Sequence, residues 1–202
     1  GRTPLYALAS GIYSNLENEL ELAEFFLDLG ADPDIPSIRH VYNSTKEINE
    51  ESIDYPLLAA LRAHDRNNEE KSQMIRLLLS AGADPNCTDE SNYSFFYYLI
   101  GNAELSDYLE MVKLAVEKGA DPSIKSATGR HVLSSAYWER SKLEERGIEL
   151  TDLFRTLVSA GADLDMTDDD GRTILFKAAF DRNKELLTWL VKNGADAGTK
   201  DK

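Results

Sequence analysis

Apolar residues recur along the chain in pairs four positions apart, each set ending at a Gly-Ala-Asp tripeptide. The tripeptide occurs at Gly30-Ala31-Asp32, Gly82-Ala83-Asp84, Gly119-Ala120-Asp121, Gly161-Ala162-Asp163 and Gly194-Ala195-Asp196. The fourth and third residues before the glycine are apolar every time: Phe26-Leu27, Leu78-Leu79, Ala115-Val116, Leu157-Val158 and Leu190-Val191. So are the eighth and seventh, from Leu22-Ala23 to Leu186-Leu187, whereas the sixth is polar: Glu24, Arg76, Lys113, Arg155, Thr188. Positions four apart share one face of an α-helix, so each block predicts an amphipathic helix with one buried stripe. The glycine is suited to the left-handed conformation that closes a helix.

A second apolar segment precedes each of these helices. The segments begin at Thr3-Pro4-Leu5, Tyr55-Pro56-Leu57, Ser94-Phe95-Phe96, His131-Val132-Leu133 and Thr173-Ile174-Leu175. Pro4 and Pro56 fit the first turn of a helix, where the missing N–H has no intrahelical partner to lose. Small residues recur inside these segments (Ala59, Ala60, Ala136, Ala178, Ala179) and let neighbouring helices approach closely. The run Gly1-Arg2-Thr3-Pro4-Leu5-Tyr6-Ala7-Leu8-Ala9 resembles the Thr-Pro-Leu-His-x-Ala signature of ankyrin repeats, and residues 161–194 match the same pattern at the family period of 33. The resemblance implies an all-α solenoid of helix–turn–helix units with β-hairpin finger loops, a fold that serves as a recognition scaffold.

On this basis the chain reads as one ankyrin-repeat domain over 1–202, with repeats near 1–32, 53–84, 90–121, 127–163 and 168–196. The array departs from the family pattern in several places. The family histidine is replaced throughout, by Tyr6, Leu58, Tyr97, Ser134 and Phe176. Three fingers have 12 residues from the glycine to the Thr-like position, but Gly30 to Tyr55 spans 25, which places an inserted finger loop within 33–52. That loop is either a contact loop or a functionless excursion. Lys142–Arg146 reads as a helix extension with a charged, solvated face. The chain starts at the last glycine of one finger and stops within another, so the terminal repeats either cap themselves or belong to a longer protein.

Charge narrows the choice of partner. Acidic residues outnumber basic ones 36 to 22, for a formal charge of −14. Phosphate backbones and anionic membrane surfaces are disfavoured as partners, and no apolar run reaches the length of a membrane span. The charge serves either solubility or steering toward a basic partner. One cysteine, Cys87, permits no internal disulfide and no zinc site built on two or more cysteines, which points to a reducing, cytoplasmic setting.

Candidate chemistry is sparse. Cys87 lies in a finger; His40, His64 and His131 are scattered, and His131 stands where a helix-initiating Thr is expected. The acidic run from Asp163 to Gly171 invites a calcium reading. With Gly171 at the sixth position of an EF-hand loop, however, the first and twelfth positions are Met166 and Lys177. No phosphate-binding glycine loop is present. No catalytic residue, cofactor or metal ligand is therefore expected.

What remains is a surface for another protein. The resemblance places it on finger tips and the exposed ends of the first helix of each repeat. The fingers supply Glu51, Asp54, Glu90, Tyr93, Thr128, Arg130, Asp169, Asp170 and Arg172; the helices supply Arg62, Asn102, Trp138, Glu139, Phe180 and Asp181. The strongest candidates are Tyr93, Arg130, Trp138, Glu139, Asp169, Asp170, Arg172, Phe180 and Asp181. Tyr93, Trp138 and Phe180 are either interface anchors or buried against a neighbouring repeat. Trp189, five residues before Gly194 like Phe25 and Leu77 before their glycines, reads as core. Carboxylates outnumber arginines on this surface, which favours a basic protein partner. The expected function is a non-catalytic, monomeric protein-interaction module. The alternatives are an inhibitor or immunity protein masking a basic enzyme, or the targeting portion of a larger effector.

Overall fold

A computed structural model describes residues 1–12, 18–43 and 48–200, with backbone alone for 39–43 and 48–51. His40 and Glu51, both named above, therefore have side chains outside the described residues. The elements are α1 Pro4–Ala9, α2 Glu19–Asp28, β1 Ser37–Asn43, β2 Ile48–Asp54, α3 Pro56–Arg62, α4 Asn68–Ser80, α5 Phe95–Ile100, α6 Tyr108–Glu117, α7 Val132–Trp138, α8 Arg140–Glu145, α9 Leu150–Ser159, α10 Ile174–Phe180 and α11 Lys184–Lys192. They gather into two compact units, one of residues 1–90 with 104–119 and one of 91–103 with 120–202.

The shorter helices start as their sequences predict. Thr3, Ser94 and Thr173 each accept a hydrogen bond from the backbone N–H three residues on, at 3.1, 3.1 and 3.3 Å, which satisfies one of the donors left open at a helix start. The longer helices end at the repeated tripeptide, whose two polar functions separate cleanly. Gly82 and Gly161 take φ of +97° and +103°. The following alanine then donates back across the turn, Ala83 to Leu78 O at 3.0 Å and Ala162 to Leu157 O at 2.9 Å, as a left-handed helix stop requires. The aspartate of all five tripeptides accepts the N–H two residues further on, at 2.8–2.9 Å: Asp32 from Asp34, Asp84 from Asn86, Asp121 from Ser123, Asp163 from Asp165, Asp196 from Gly198. The tripeptide is thus a helix stop joined to a side-chain-stabilised turn.

In the first unit α1 packs on α2 and α3, and α4 on α2, α3 and α6. Its centre is the continuous buried run Leu57–Leu61 against Leu5–Ala9. The inserted finger forms an antiparallel hairpin, with β1 paired to β2 in the register Ser37↔Asp54 to Asn43↔Ile48. Glu90 accepts the Ile53 N–H at 2.9 Å and also bonds the Ser52 side chain; these contacts hold its carboxyl below the usual range. The hairpin extends two residues past the boundary set by the sequence, and it is the only two-stranded ladder among the described residues.

In the second unit α7 is central, packing on α5, α8, α9 and α10, and α10 packs on α11. The charged segment after Trp138 forms α8, which buries only Leu143. The fifth position before the glycine is not core. Phe25 is 57% exposed, and Trp189 is half-buried, its ring 6.1 Å from Phe154. That position lies on the shoulder of the stripe set by the other four apolar positions, so it is covered from one side only.

Candidate protein-binding face

Helix α7 buries every residue from Val132 to Tyr137 and then presents Trp138, 71% exposed, at its last turn. Helix α10 buries Ile174 and Ala178 and ends on Phe180, 82% exposed. Both aromatics occupy the seventh position after the cap residue, where the helix turns away from the core. Neither is buried by a neighbouring element, so the reading that packs them against the next repeat is overturned.

Trp138 and Phe180 line one recess of about 490 Å³, whose walls include Tyr137, Phe176, Arg172 and Lys177. Arg140 lies over the Tyr137 ring at 4.4 Å and Arg172 over the Phe176 ring at 5.6 Å. The Asp181 carboxylate accepts from the Tyr137 hydroxyl at 2.6 Å and from Arg140 at 2.9 Å. Burial and this bond push the Tyr137 hydroxyl up to about 12, so it stays a proton donor at neutral pH. Arg172 pairs with Asp170 at 3.1 Å and Lys177 with Asp168 at 3.0 Å.

A second recess of about 410 Å³ shares Trp138 and is lined by Tyr97, Tyr98, Arg130 and Glu139. Tyr93, Tyr97 and Tyr98 cluster there with ring separations of 4.8, 5.6 and 5.8 Å. Arg130 lies against the Tyr93 and Tyr97 hydroxyls. Tyr93 is half-buried in this cluster, bonds Thr128 at 3.0 Å and does not line the recess, so it is not an exposed anchor.

The nine predicted residues all fall in the second unit. Trp138, Arg172, Phe180 and Asp181 surround the first recess, and Arg130 and Glu139 join Trp138 at the second. Asp170 is drawn in by its pair with Arg172. Asp169 instead sits against Gly129, where any Cβ would meet its carboxylate. Sequence reasoning missed Tyr137, Arg140, Phe176 and Lys177. The signal for Phe176 was present, because it occupies the position of the family histidine. The earlier charge count also changes meaning. Glu139 lies 3.3 Å from Lys142, and Asp170 and Asp181 each face an arginine, so the carboxylates here are largely matched by cations of the same chain. Asp54, Arg62 and Glu90 lie in the first unit, where Asp54 accepts from Tyr6 and Arg62 pairs with Asp89.

The acidic run at 163–171 has its own structural use. Asp163 Oδ1 accepts the Asp165 N–H, Asp165 Oδ1 the Asp196 N–H, and Asp168 Oδ1 those of Asp170 and Arg172. Among the described residues no three His, Cys, Asp or Glu side chains gather as a metal site would require. Cys87 is buried, and burial together with the nearby Asp84 raises its thiol far above the ordinary range.

Comparison with known families matches this architecture. The family described as Ankyrin repeat matches residues 1–38 and 54–90, and that described as Ankyrin repeats (many copies) matches 151–191, together more than half of the chain. No curated protein matches. Among solved structures the fold is similar to an ankyrin repeat domain from Acinetobacter baumannii AYE, with 22% identity and a TM-score of 0.67 over 98% of this chain and 85% of that one. From its repeats, its helix pairs and these matches, the chain belongs to the ankyrin-repeat family and has the fold of an ankyrin solenoid.

Proposed function

We propose that this protein is a non-catalytic adaptor that captures a protein partner on the Trp138–Phe180 face of its second unit. Ankyrin repeats are in general protein–protein interaction modules. The observation that carries the site is the pair of large aromatics held mostly in solvent around one recess. Exposed aromatics beside arginines are the residues that dominate interface energetics. Tyr93, Arg130, Glu139, Asp169, Asp170, Arg172 and Asp181 complete the surface as its rim. Cys87 is too buried to serve as a nucleophile, and among the described residues no helix is long and apolar enough to cross a membrane. Cytoplasmic action is part of the same proposal.

The inhibitor reading, a carboxylate surface masking a basic enzyme, draws on the net charge of −14. It is weakened where Asp170 and Asp181 are already paired. Affinity capture from source lysate at low and high salt separates the two. The adaptor reading expects Trp138→Ala and Phe180→Ala each to reduce retention of the same partner, by roughly thirtyfold in affinity, with little dependence on salt. A partner lost at high salt but retained by both variants would support the charge-masking reading instead.

A further inference from the structure

Resting on the docking face above, we propose that the Trp138–Phe180 recess takes a bulky apolar side chain from an acidic partner segment, with a neighbouring carboxylate of that segment seated on Arg172. The polar atoms of the recess point to this occupant. Its walls carry three cations, Arg140, Arg172 and Lys177, against one carboxylate, Asp181. That carboxylate already accepts from Tyr137 and Arg140 through the same oxygen. Asp181 Oδ1 is thus the one carboxylate oxygen left open on these walls, against the donors of three cations, a balance that favours an occupant carrying acceptors of its own.

The three cations differ in how firmly they are held. Arg140 stacks on Tyr137, donates to the Tyr137 carbonyl at 3.0 Å and reaches Asp181. Lys177 and Asp168 form a pair whose side chains are both only about one-fifth exposed. Arg172 lies over the Phe176 ring and has one ion pair, to Asp170 at 3.1 Å, and both paired side chains are mostly or half in solvent. An exposed pair of this kind exchanges at little cost, and a guanidinium offers five N–H donors in a fork that suits a carboxylate. Arg172 is thus the cation available to a partner.

A cationic anchor finds only two of the four rings open, Trp138 and Phe180. Aromatic boxes hold cations on open ring faces, but the Tyr137 face is covered by Arg140 and the Phe176 face by Arg172. The acidic surface elsewhere on the chain acts weakly at this contact, because screening length is about 8 Å at physiological salt.

Selection from a displayed random-peptide library against the intact chain tests the idea, with Trp138 as sole emitter in a Trp189→Phe background. The expected consensus is an aromatic or leucine residue with Asp or Glu within two positions, and binding should shift Trp138 emission to the blue. Phe180→Ala should weaken a selected peptide roughly thirtyfold. Arg172→Glu should weaken it about tenfold, the loss of one charge-assisted hydrogen bond. Thermal unfolding should be unchanged in Phe180→Ala, whose side chain stands in solvent, and should move little in Arg172→Glu, which loses an exposed pair. A consensus flanked by Lys or Arg, no enriched consensus, or binding indifferent to Arg172→Glu would overturn this inference and leave the docking face in place. Peptides indifferent to both Trp138→Ala and Phe180→Ala would overturn the docking face as well.

Discussion

Replacing Arg66 with alanine should destabilise the first unit by about 3–5 kcal/mol, the range for breaking one side of a buried charge pair. Arg66 is 8% exposed. Its guanidinium donates to Ala9 O at 2.6 Å, to Leu8 O, and to Glu19 at 2.5 Å. It therefore satisfies the open carbonyls at the end of the six-residue helix α1 and places a positive charge at the negative end of that helix. It also ties α1 to the start of α2. Alanine would leave the carbonyls and Glu19 without the donor, and Glu19 already has one buried oxygen without a hydrogen bond. Lysine would keep the charge but lose the fork that reaches three acceptors, so Arg66→Lys should fall between. Both tryptophans, Trp138 and Trp189, lie in the second unit. The measurement is accordingly amide hydrogen exchange across α1 and α3, and a loss of protection worth under about 1 kcal/mol would contradict the argument.

The second large effect is acid sensitivity centred on His131. This residue stands where a helix-initiating Thr is expected, is 1% exposed, and has a buried Nδ1 without a partner. Its backbone is nonetheless secured by Ser134, whose hydroxyl donates to the His131 carbonyl at 2.6 Å and accepts its N–H at 3.2 Å. Burial, reinforced by Lys177 and Lys125 and opposed by Asp168 and Asp163, lowers the imidazole to about 4. The unfolded chain, with an ordinary histidine near 6.5, takes up its proton first as pH falls. Stability is therefore full above about 6.5 and declines toward about 4, by about 3 kcal/mol in total. Paired carboxylates such as Asp168, held below their usual range, lose their contribution at lower pH still. His131→Thr should keep a helix cap and flatten the decline between about pH 6.5 and 4, as read by Trp fluorescence in urea. An unaltered pH profile in that variant would place the acid sensitivity elsewhere.

Much of the fold was legible because it is local. Apolar pairs four apart, and a glycine closing each set, specify helix and stop without reference to the rest of the chain. The aspartate of the tripeptide was visible as a repeat, but its use was not, since an Asx turn is a backbone event that pattern alone does not separate from metal binding. The inserted finger was located by counting residues, and its hairpin followed from the family resemblance; the register and length of the strands did not, because pairing depends on contacts between segments. The shoulder position was misjudged for a related reason. Phe25 and Trp189 are apolar, and only the placement of neighbours decides how much of them is covered.

At the candidate site, Trp138 and Phe180 were found by carrying a repeat position forward. The surrounding chemistry was not, because Arg140 and Lys177 enter through contacts between helices. Counting carboxylates overstated the acidity of the face for the same reason. Ion pairs such as Arg140–Asp181, 41 residues apart, are invisible to a charge tally.

The most direct test of the central claim places a photo-reactive benzoylphenylalanine at position 138, 180 or, as control, 155 on the exposed side of α9, and irradiates the chain in source lysate. The docking face predicts one shared protein adduct from positions 138 and 180 and none from 155. An adduct formed equally from 155, or from 155 alone, would contradict it.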